Sequence, residues 1–412
     1  MQLYRSMGLL AEGGDLPFVG SIAFLAGSRP DSTLVLLTVS LSNQSLAFAR
    51  EGEAYRADYS ASVMLQRGSE PVQRIESREA VRVATFRETA RADESILFQH
   101  MFATAPGVHA LTVQFRDDAA NRASGVEATL TVPRLDSGSL SSPIPFYQAS
   151  LRTAIDSVPH VVPTPRATVT FGQDSVMPIY LELYGAPGSD PVVAVVTDAG
   201  RRVTRWSDTV ALVPHGALSS AVVRVPVNQI GVGASVLSVM HAGRADTVQT
   251  PIFVSFGDEL PVASFEQMLQ YLRYFTSSTR LATLRDAGPD TQAEVWAEFL
   301  RTTDPNPETP RHEGLAAYFG RIQQANARFR EAGEAGWLSD RGRVFVAFGS
   351  PDQVYEPNTN DLSQRGRTQI WDYQTYRLRV VFVDQSGFGR WRMTMSSESE
   401  FEATVRREIG RK

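Results

Sequence analysis

Gly336-Trp-Leu-Ser-Asp-Arg-Gly-Arg-Val-Phe-Val-Ala-Phe-Gly-Ser-Pro-Asp352 is the stretch on which the reading of this chain turns. Ser339 and Asp340 can cap or turn the backbone, and Arg341-Gly342-Arg343 then opens an extended run. Val344, Val346 and Phe348 alternate with Phe345 and Ala347, a period that predicts a buried strand. Gly349-Ser350-Pro351-Asp352 stops it, because proline cannot continue a ladder and Gly with Asp supplies turn geometry.

The segment resembles the GWxTD domain, a bacterial family named for such a stretch. Gly336, Trp337, Asp340, Arg341, Gly342, Arg343, Gly349, Pro351 and Asp352 fall on the family pattern, while Ser339 stands for its Thr and Ser350 for its first Pro. Both departures are mild, since Ser keeps the hydroxyl and Pro351 keeps the stop. Trp296-Ala-Glu-Phe299, Asp304-Pro-Asn-Pro307, Ala325-Asn-Ala-Arg-Phe329 and Gly387-Phe-Gly-Arg390 extend the likeness over the last third of the chain. The family is described without an established activity, so the resemblance implies a domain and no reaction.

Outward from the motif the periodicity changes twice. Upstream, Ser264-Phe-Glu-Gln267 with Phe265, Met268, Leu269, Leu272 and Phe275 predicts a helix, as do Thr291 to Leu300 and His312 to Glu331, the last ended by Gly333 and Gly336. Asp304 to Pro310 is a loop by its prolines. Downstream, Gln369 to Tyr373, Leu378 to Asp384 and Arg390 to Met395 read as strands, with Asp384-Gln-Ser-Gly387 as a hairpin turn. Together with Val344 to Phe348 they predict a C-terminal α+β domain, 261–412, of helices packed on a small antiparallel sheet.

The first two thirds read as β structure. Runs at Thr33–Leu41, Tyr55–Leu65, Ala80–Phe86, Ile96–Phe102, Val108–Phe115 and Val126–Val132 predict an immunoglobulin-like antiparallel β-sandwich over 1–136. His109 stands where such modules often carry Tyr, which marks a buried corner. The stretch 137–165 holds Pro143, Pro145, Pro159, Pro163 and Pro165 and reads as a Pro/Ser-rich linker. Runs at Thr168–Phe171, Ile179–Tyr184, Val192–Thr197, Ala221–Val227, Ser235–Met240 and Ile252–Phe256 predict a second, smaller antiparallel sandwich over 166–260. The expected fold is therefore multidomain and mainly β.

Composition narrows the function. A chain of 412 residues with 42% hydrophobic and 21% charged residues folds as several globular domains. A net charge of −5 argues against nucleic acid as a partner, and Lys412 is the only lysine, which fits an Arg-rich coding bias. Cysteine is absent, which excludes disulfides and thiolate chemistry and fits export. No run approaches a membrane span, and no basic start precedes a long apolar core. Met1-Gln-Leu-Tyr-Arg5 reads as mature surface, so a periplasmic or extracellular protein is expected with its leader out of view. A cytoplasmic protein follows only if that missing leader is taken at face value.

Sites of chemistry are weighed in the same way. Trp296, Trp337, Trp371 and Trp391 could line a groove for sugar or peptide, though filling a helix–sheet core explains them more simply. Asp340 beside Arg341 and Arg343 caps and pairs locally. His312-Glu313 lacks the second His of a zinc motif, Glu356-Pro-Asn-Thr-Asn-Asp361 lacks a calcium-loop pattern, and Gly387-Phe-Gly-Arg390 opens no helix for phosphate. We therefore expect no catalytic residue, metal or cofactor, and a non-enzymatic envelope protein working through protein–protein contacts, a reading that includes an accessory or scaffold subunit of a larger envelope complex. The alternative is a polysaccharide- or peptide-binding protein, or a hydrolase using carboxylates among Asp340, Asp352, Glu356, Asp372 and Asp384.

Overall fold

The structure is a computed structural model and describes residues 1–29, 31–91, 96–170, 174–185, 191–200, 203–241, 247–255, 265–288, 291–306, 312–331, 335–357 and 366–410. Phe171, Phe256, Ser264, 307–310, Gly333 and 358–361 lie outside the described residues. Two compact units divide the chain, Met1–Ala263 and Ser264–Lys412.

A short helix α1 (Gln2–Ser6) opens the first unit, followed by β1 (Leu10–Glu12), β2 (Phe18–Ala26), β3 (Thr33–Leu41), β4 (Ala49–Glu51), β5 (Ala54–Arg67) and β6 (Glu70–Val83). After the single turn α2 (Phe86–Thr89) come β7 (Ile96–Thr104), β8 (Gly107–Asp117) and β9 (Arg122–Val132). One sheet has the order β1-β2-β3-β7; the other runs β4-β5-β8-β9, with β6 also paired to β5. Alternate residues of both sheets meet in one core, with Val35, Leu37 and Val39 of β3 facing Ala61, Val63 and Leu65 of β5 and Val113 and Phe115 of β8. His109 is buried at the corner, its ring nitrogens 3.1 Å from the Gly107 carbonyl and 3.4 Å from Thr104 Oγ1.

The second sandwich contains β10 (Ile144–Ser150), β11 (His160–Pro163), β12 (Thr168–Thr170), β13 (Val176–Tyr184), β14 (Val192–Asp198), β15 (Thr204–Val210), β16 (Val213–His215) and β17 (Leu218–Pro226). The turn α3 (Val227–Ile230) leads to β18 (Gly233–His241) and β19 (Thr247–Ser255). Its sheets have the orders β11-β10-β13-β17-β16 and β12-β19-β18-β14-β15, antiparallel except for the parallel pair β12–β19. The expected linker is thus a correction: 144–150 and 160–163 are strands, and they bring this sandwich to ten strands among the described residues. Ser142 exchanges hydrogen bonds with Phe24, Ser141 N–H donates to the Glu182 carbonyl, and Leu140 bridges Leu183. Several of the prolines fit because they sit in a short outer strand or at strand ends, where a missing donor costs little.

The two sandwiches join through β2–β3 and β10–β13. Ala23, Leu25 and Leu36 on the outer face of the first sandwich pack with Ile144, Val161 and Tyr180 of the second. A fully buried ion pair sits beside them, Arg152 Nη1 to Glu182 Oε2 at 3.4 Å. Tyr180 donates to Glu182 Oε1 at 2.7 Å and Tyr184 to Oε2 at 2.6 Å, while Arg152 donates to the carbonyls of Ala26, Ala154 and Ile155. Burial first, and the Glu182 charge second, push both tyrosine hydroxyls above their usual pKa, so they remain donors.

The second unit holds α4 (Phe265–Tyr271), α5 (Ser278–Asp286), α6 (Gln292–Thr303), α7 (Glu313–Arg328) and α8 (Asp340–Phe348), then β20 (Gln353–Tyr355), β21 (Arg367–Tyr373), β22 (Leu378–Asp384), β23 (Arg392–Met393) and α9 (Met395–Glu408). The α+β arrangement stands, with the sheet order β20-β21-β22-β23. Val344–Phe348 is not its strand. These residues form the second half of α8, and β20 takes the place expected for them. The run is apolar at odd and even positions alike, so its alternation carries no period, and a helix buried on most sides reads the same. Met395 likewise belongs to α9, whose start is capped by the Thr394 hydroxyl accepting from Ser397 N–H. Among the described residues no helix is long and apolar enough to cross a membrane.

Breaking a buried ion pair by removing one partner costs about 3–5 kcal/mol. Arg152→Met and Glu182→Gln should each lower the calorimetric transition of the first unit by that amount, and the double variant should recover part of the loss. Simple additivity in this double-mutant cycle would show that the two side chains are not coupled.

Candidate functional site

The motif is built as a joint between α7 and α8. Gly336–Leu338 makes one tight 3₁₀ turn, and Ser339 caps α8: its hydroxyl donates to the Gly336 carbonyl at 2.7 Å and accepts from Gly342 N–H at 3.1 Å. The turn lies so close to its neighbours that side chains are excluded. A Cβ on Gly342 would stand 1.8 Å from the Gly336 carbonyl oxygen, and one on Gly336 would stand 2.3 Å from that of Ala325 in α7. Trp337 N–H donates to Asn326 Oδ1 at 3.1 Å. Its buried ring lies 4.8 Å from that of Tyr271 and 4.9 Å from the Arg273 guanidinium.

Asp340 and Arg343 tie this joint to the sheet and to α9. Asp340 Oδ2 accepts from Met393 N–H at 2.7 Å, and Glu331 Oε1 accepts from Trp391 N–H at 3.2 Å. Two carboxylates thereby satisfy alternate amides, one in β23 and one just before it, which would otherwise be open donors at a sheet edge. Arg343 donates to Tyr274 Oη at 3.1 Å, Asp340 Oδ1 at 3.4 Å, Glu398 Oε1 at 3.3 Å and Glu402 Oε1 at 2.7 Å. Burial works against its charge, but these partners outweigh burial and raise its pKa. Arg341 is half-buried, and desolvation lowers its pKa; its guanidinium lies 4.9 Å from the Trp391 ring and 5.4 Å from Phe329, with Arg367 also over Trp391 at 5.3 Å.

The remaining motif residues end the helix and begin the sheet. Gly349, at φ 82°, closes α8, and its carbonyl accepts from Tyr373 Oη at 2.9 Å. Pro351 is half-buried, and exposed Asp352 accepts from Gln374 N–H at 2.7 Å. The other carboxylates raised as acid–base candidates also have partners: Asp372 pairs with Arg379 at 3.0 Å, and Glu356 accepts from Gln369 at 2.8 Å. Asp384 has no solvent exposure, and burial alone would raise its pKa. Gly389 N–H, Ser386 Oγ, Arg367 and Gly387 N–H together outweigh that and hold its carboxyl below the usual range.

Trp296, Trp337, Trp371 and Trp391 are all buried, so their rings belong to the core of this unit. Sequence reasoning missed Tyr274, Asn326, Glu331, Glu398 and Glu402. Asn326 lay inside a quoted stretch, but the two α9 glutamates sit more than fifty residues from Arg343 with no local signal. A larger concavity, about 630 Å³, lies on the outer face of the first sandwich between Arg78, Arg116, Ser60 and Ser62; Asp118 already pairs with both arginines. Among the described residues no group of His, Asp or Glu is placed to hold a metal.

This geometry defines a class: a double β-sandwich followed by an α+β unit whose Gly-Trp turn locks two helices against a small sheet. The C-terminal part is a GWxTD domain; the model of that family matches residues 240–404, beginning within the last strands of the second sandwich. No curated protein matches the chain in sequence. Solved structures similar to it include the titin Ig tandem domains, at 11% identity and a TM-score of 0.16 over 58% of this chain and 99% of that one. A second titin structure gives 11% identity and a TM-score of 0.15 over 60% and 100%. At such scores the likeness carries no argument, and the sandwich fold rests on the strand pairing itself.

Trp337→Ala should cost about 3–5 kcal/mol, the range for truncating a large buried ring, in the C-terminal transition alone. Gly342→Ala forces a side chain into a backbone contact and should cost about 3 kcal/mol or more. Unchanged C-terminal melting in either variant would remove the structural reading of the joint.

His312 supplies a pH test. It caps α7 by accepting from Leu315 N–H at 3.1 Å through Nδ1, and Nε2 lies 3.0 Å from Thr303 Oγ1. Burial lowers its pKa below the ordinary value of 6.5, against the opposing pull of Asp304 and Glu313. The cap's contribution is complete above the unfolded-state pKa. As pH falls below it the unfolded chain takes up a proton first, and stability declines until the folded pKa is passed. His312→Asn keeps a capping acceptor and cannot titrate, so its C-terminal melting temperature should fall less than the parent's between pH 7.5 and 5. Equal declines would show that His312 does not drive the loss.

Proposed function

We propose that the chain is a non-enzymatic, exported bacterial envelope protein that works through protein–protein contacts, as an accessory or scaffold subunit of a larger complex. One observation carries this reading: the side chains of Ser339, Asp340 and Arg343 in the motif are engaged by internal bonds. Asp340 is held by a strand amide and by Arg343, and Arg343 by Tyr274 and two α9 glutamates. A general acid or base needs a carboxylate free to exchange its proton with substrate, whereas these carboxylates hold helices and strands together. The two sandwiches of the first unit, packed through an apolar face and a buried ion pair, suit a stiff support. Export accords with the absence of cysteine over 412 residues.

Chemical crosslinking in intact envelopes, followed by affinity purification of the full chain, tests the proposal. Discrete envelope proteins should co-purify, and Asp340→Asn should reduce capture only as far as it lowers C-terminal melting. Turnover of an envelope glycan that Asp340→Asn abolishes, with melting unchanged, would replace this reading with the hydrolase.

A further inference from the structure

The Gly387-Phe-Gly-Arg390 turn plays no part in the joint, yet it is firmly built. Asp384, buried at the end of β22, accepts from Gly387 N–H at 2.9 Å, Gly389 N–H at 2.7 Å and Ser386 Oγ at 3.0 Å, with Arg367 at 3.4 Å. Gly387 and Gly389 both have positive φ, 75° and 85°, a conformation that side-chain-bearing residues rarely adopt. Between them Phe388 is 93% exposed. Single exposed apolar residues are ordinary, but this one is presented by a backbone fixed on both sides, so a partner would order little on contacting it.

Beside the turn lies a groove of about 500 Å³, whose lining includes Val383, Ser386, Arg390, Arg392, Thr394 and Met395. Met395 is 88% exposed at the start of α9. The lining carries the exposed Arg390 and no carboxylate. Aromatic residues, Met and Arg are the side chains enriched at the centres of protein interfaces. A bilayer surface would meet Phe388 and Arg390 but would leave a concavity unfilled, which favours a polypeptide over lipid.

We propose that the Phe388 turn and this groove form a docking site for an acidic, partly apolar segment of a partner protein, a carboxylate meeting Arg390 and its apolar side chains meeting Phe388 and Met395. This rests on the protein-contact reading above and names the surface and the chemistry it takes.

The test is fluorescence anisotropy of the full chain with fluorescein-labelled twelve-residue peptides, one alternating Glu and Leu, one alternating Lys and Leu. Vesicles of phosphatidylcholine with phosphatidylglycerol are examined in parallel by co-sedimentation. The acidic peptide should bind saturably and the basic one at least tenfold more weakly. Phe388→Ser should weaken acidic-peptide binding at least tenfold without shifting C-terminal melting, and Arg390→Glu should reduce or reverse the preference for acid. Absence of acidic-peptide binding, equal binding of both peptides, indifference to Phe388→Ser, or vesicle binding that depends on Phe388 would each overturn the proposal. If crosslinked capture from envelopes persists at the parent level in the double variant Phe388→Ser/Arg390→Glu, the docking site fails alone; if the parent itself captures nothing, the broader reading fails with it.

Discussion

Glu182 and Arg152 are taken wholly out of water, and everything around them is arranged to make that tolerable. A carboxylate in the protein interior is stable only where donors surround it. Here two tyrosines and a guanidinium provide them; Nη1 of the guanidinium also donates to the Ala26 carbonyl, and its other two nitrogens to those of Ala154 and Ile155. That arrangement needs β2, β13 and the 138–155 segment in register together. The same rule operates elsewhere in the chain. Asp117 takes the amides of Ala47, Ala119 and Ala120, and Asp384 takes those of its own turn. Acidic side chains in this protein commonly act as receptors for backbone donors that strands and turns leave unpaired.

The Gly-Trp motif obeys a complementary constraint, closeness of approach. α7, the tight turn and α8 come within backbone contact at Gly336 and Gly342, and Trp337 fills the space on the flank. Ser339 holds the joint together from within, and Asp340 and Arg343 bind it to the sheet edge and to α9. Glycine stands in this stretch where Cβ has no room, and Asp340 and Arg343 stand where a strand amide and the carboxylates of α9 meet them.

Much of this was legible beforehand, and the failures are physical. β8 of the first sandwich shows clean alternation because one of its faces is buried, whereas Thr33–Leu41, which the sequence marks to the residue, is buried on both faces. Val344–Phe348 was misread because five successive apolar residues carry no period; the stronger signals were Ser339 three residues before Gly342 and left-handed Gly349, a helix cap at each end. The 137–165 stretch reads as a linker because its prolines oppose helix and central strand, whereas a short outer strand such as β11 accommodates them. α9 escaped notice because only Ser397, Phe401 and Thr404 are buried along it, too sparse a stripe to stand out. Within the candidate site the motif residues were identifiable, but their partners were not, since Arg343 meets Glu402 across 59 positions of chain.

The way the first sandwich is covered also sets an order of events in time. Its inner core is closed by β9, which ends at Val132, but the face bearing Ala23, Leu25, Leu36 and Met101 is covered only by residues between Ile144 and Tyr180. A chain emerging from the ribosome or threading through a translocon therefore completes one sandwich while leaving an oily flank bare for about fifty more residues of elongation, at ~5–20 residues per second. For those seconds the nascent protein is a natural client for a holdase, and a pause in synthesis between Val132 and Tyr184 would prolong its most adhesive state.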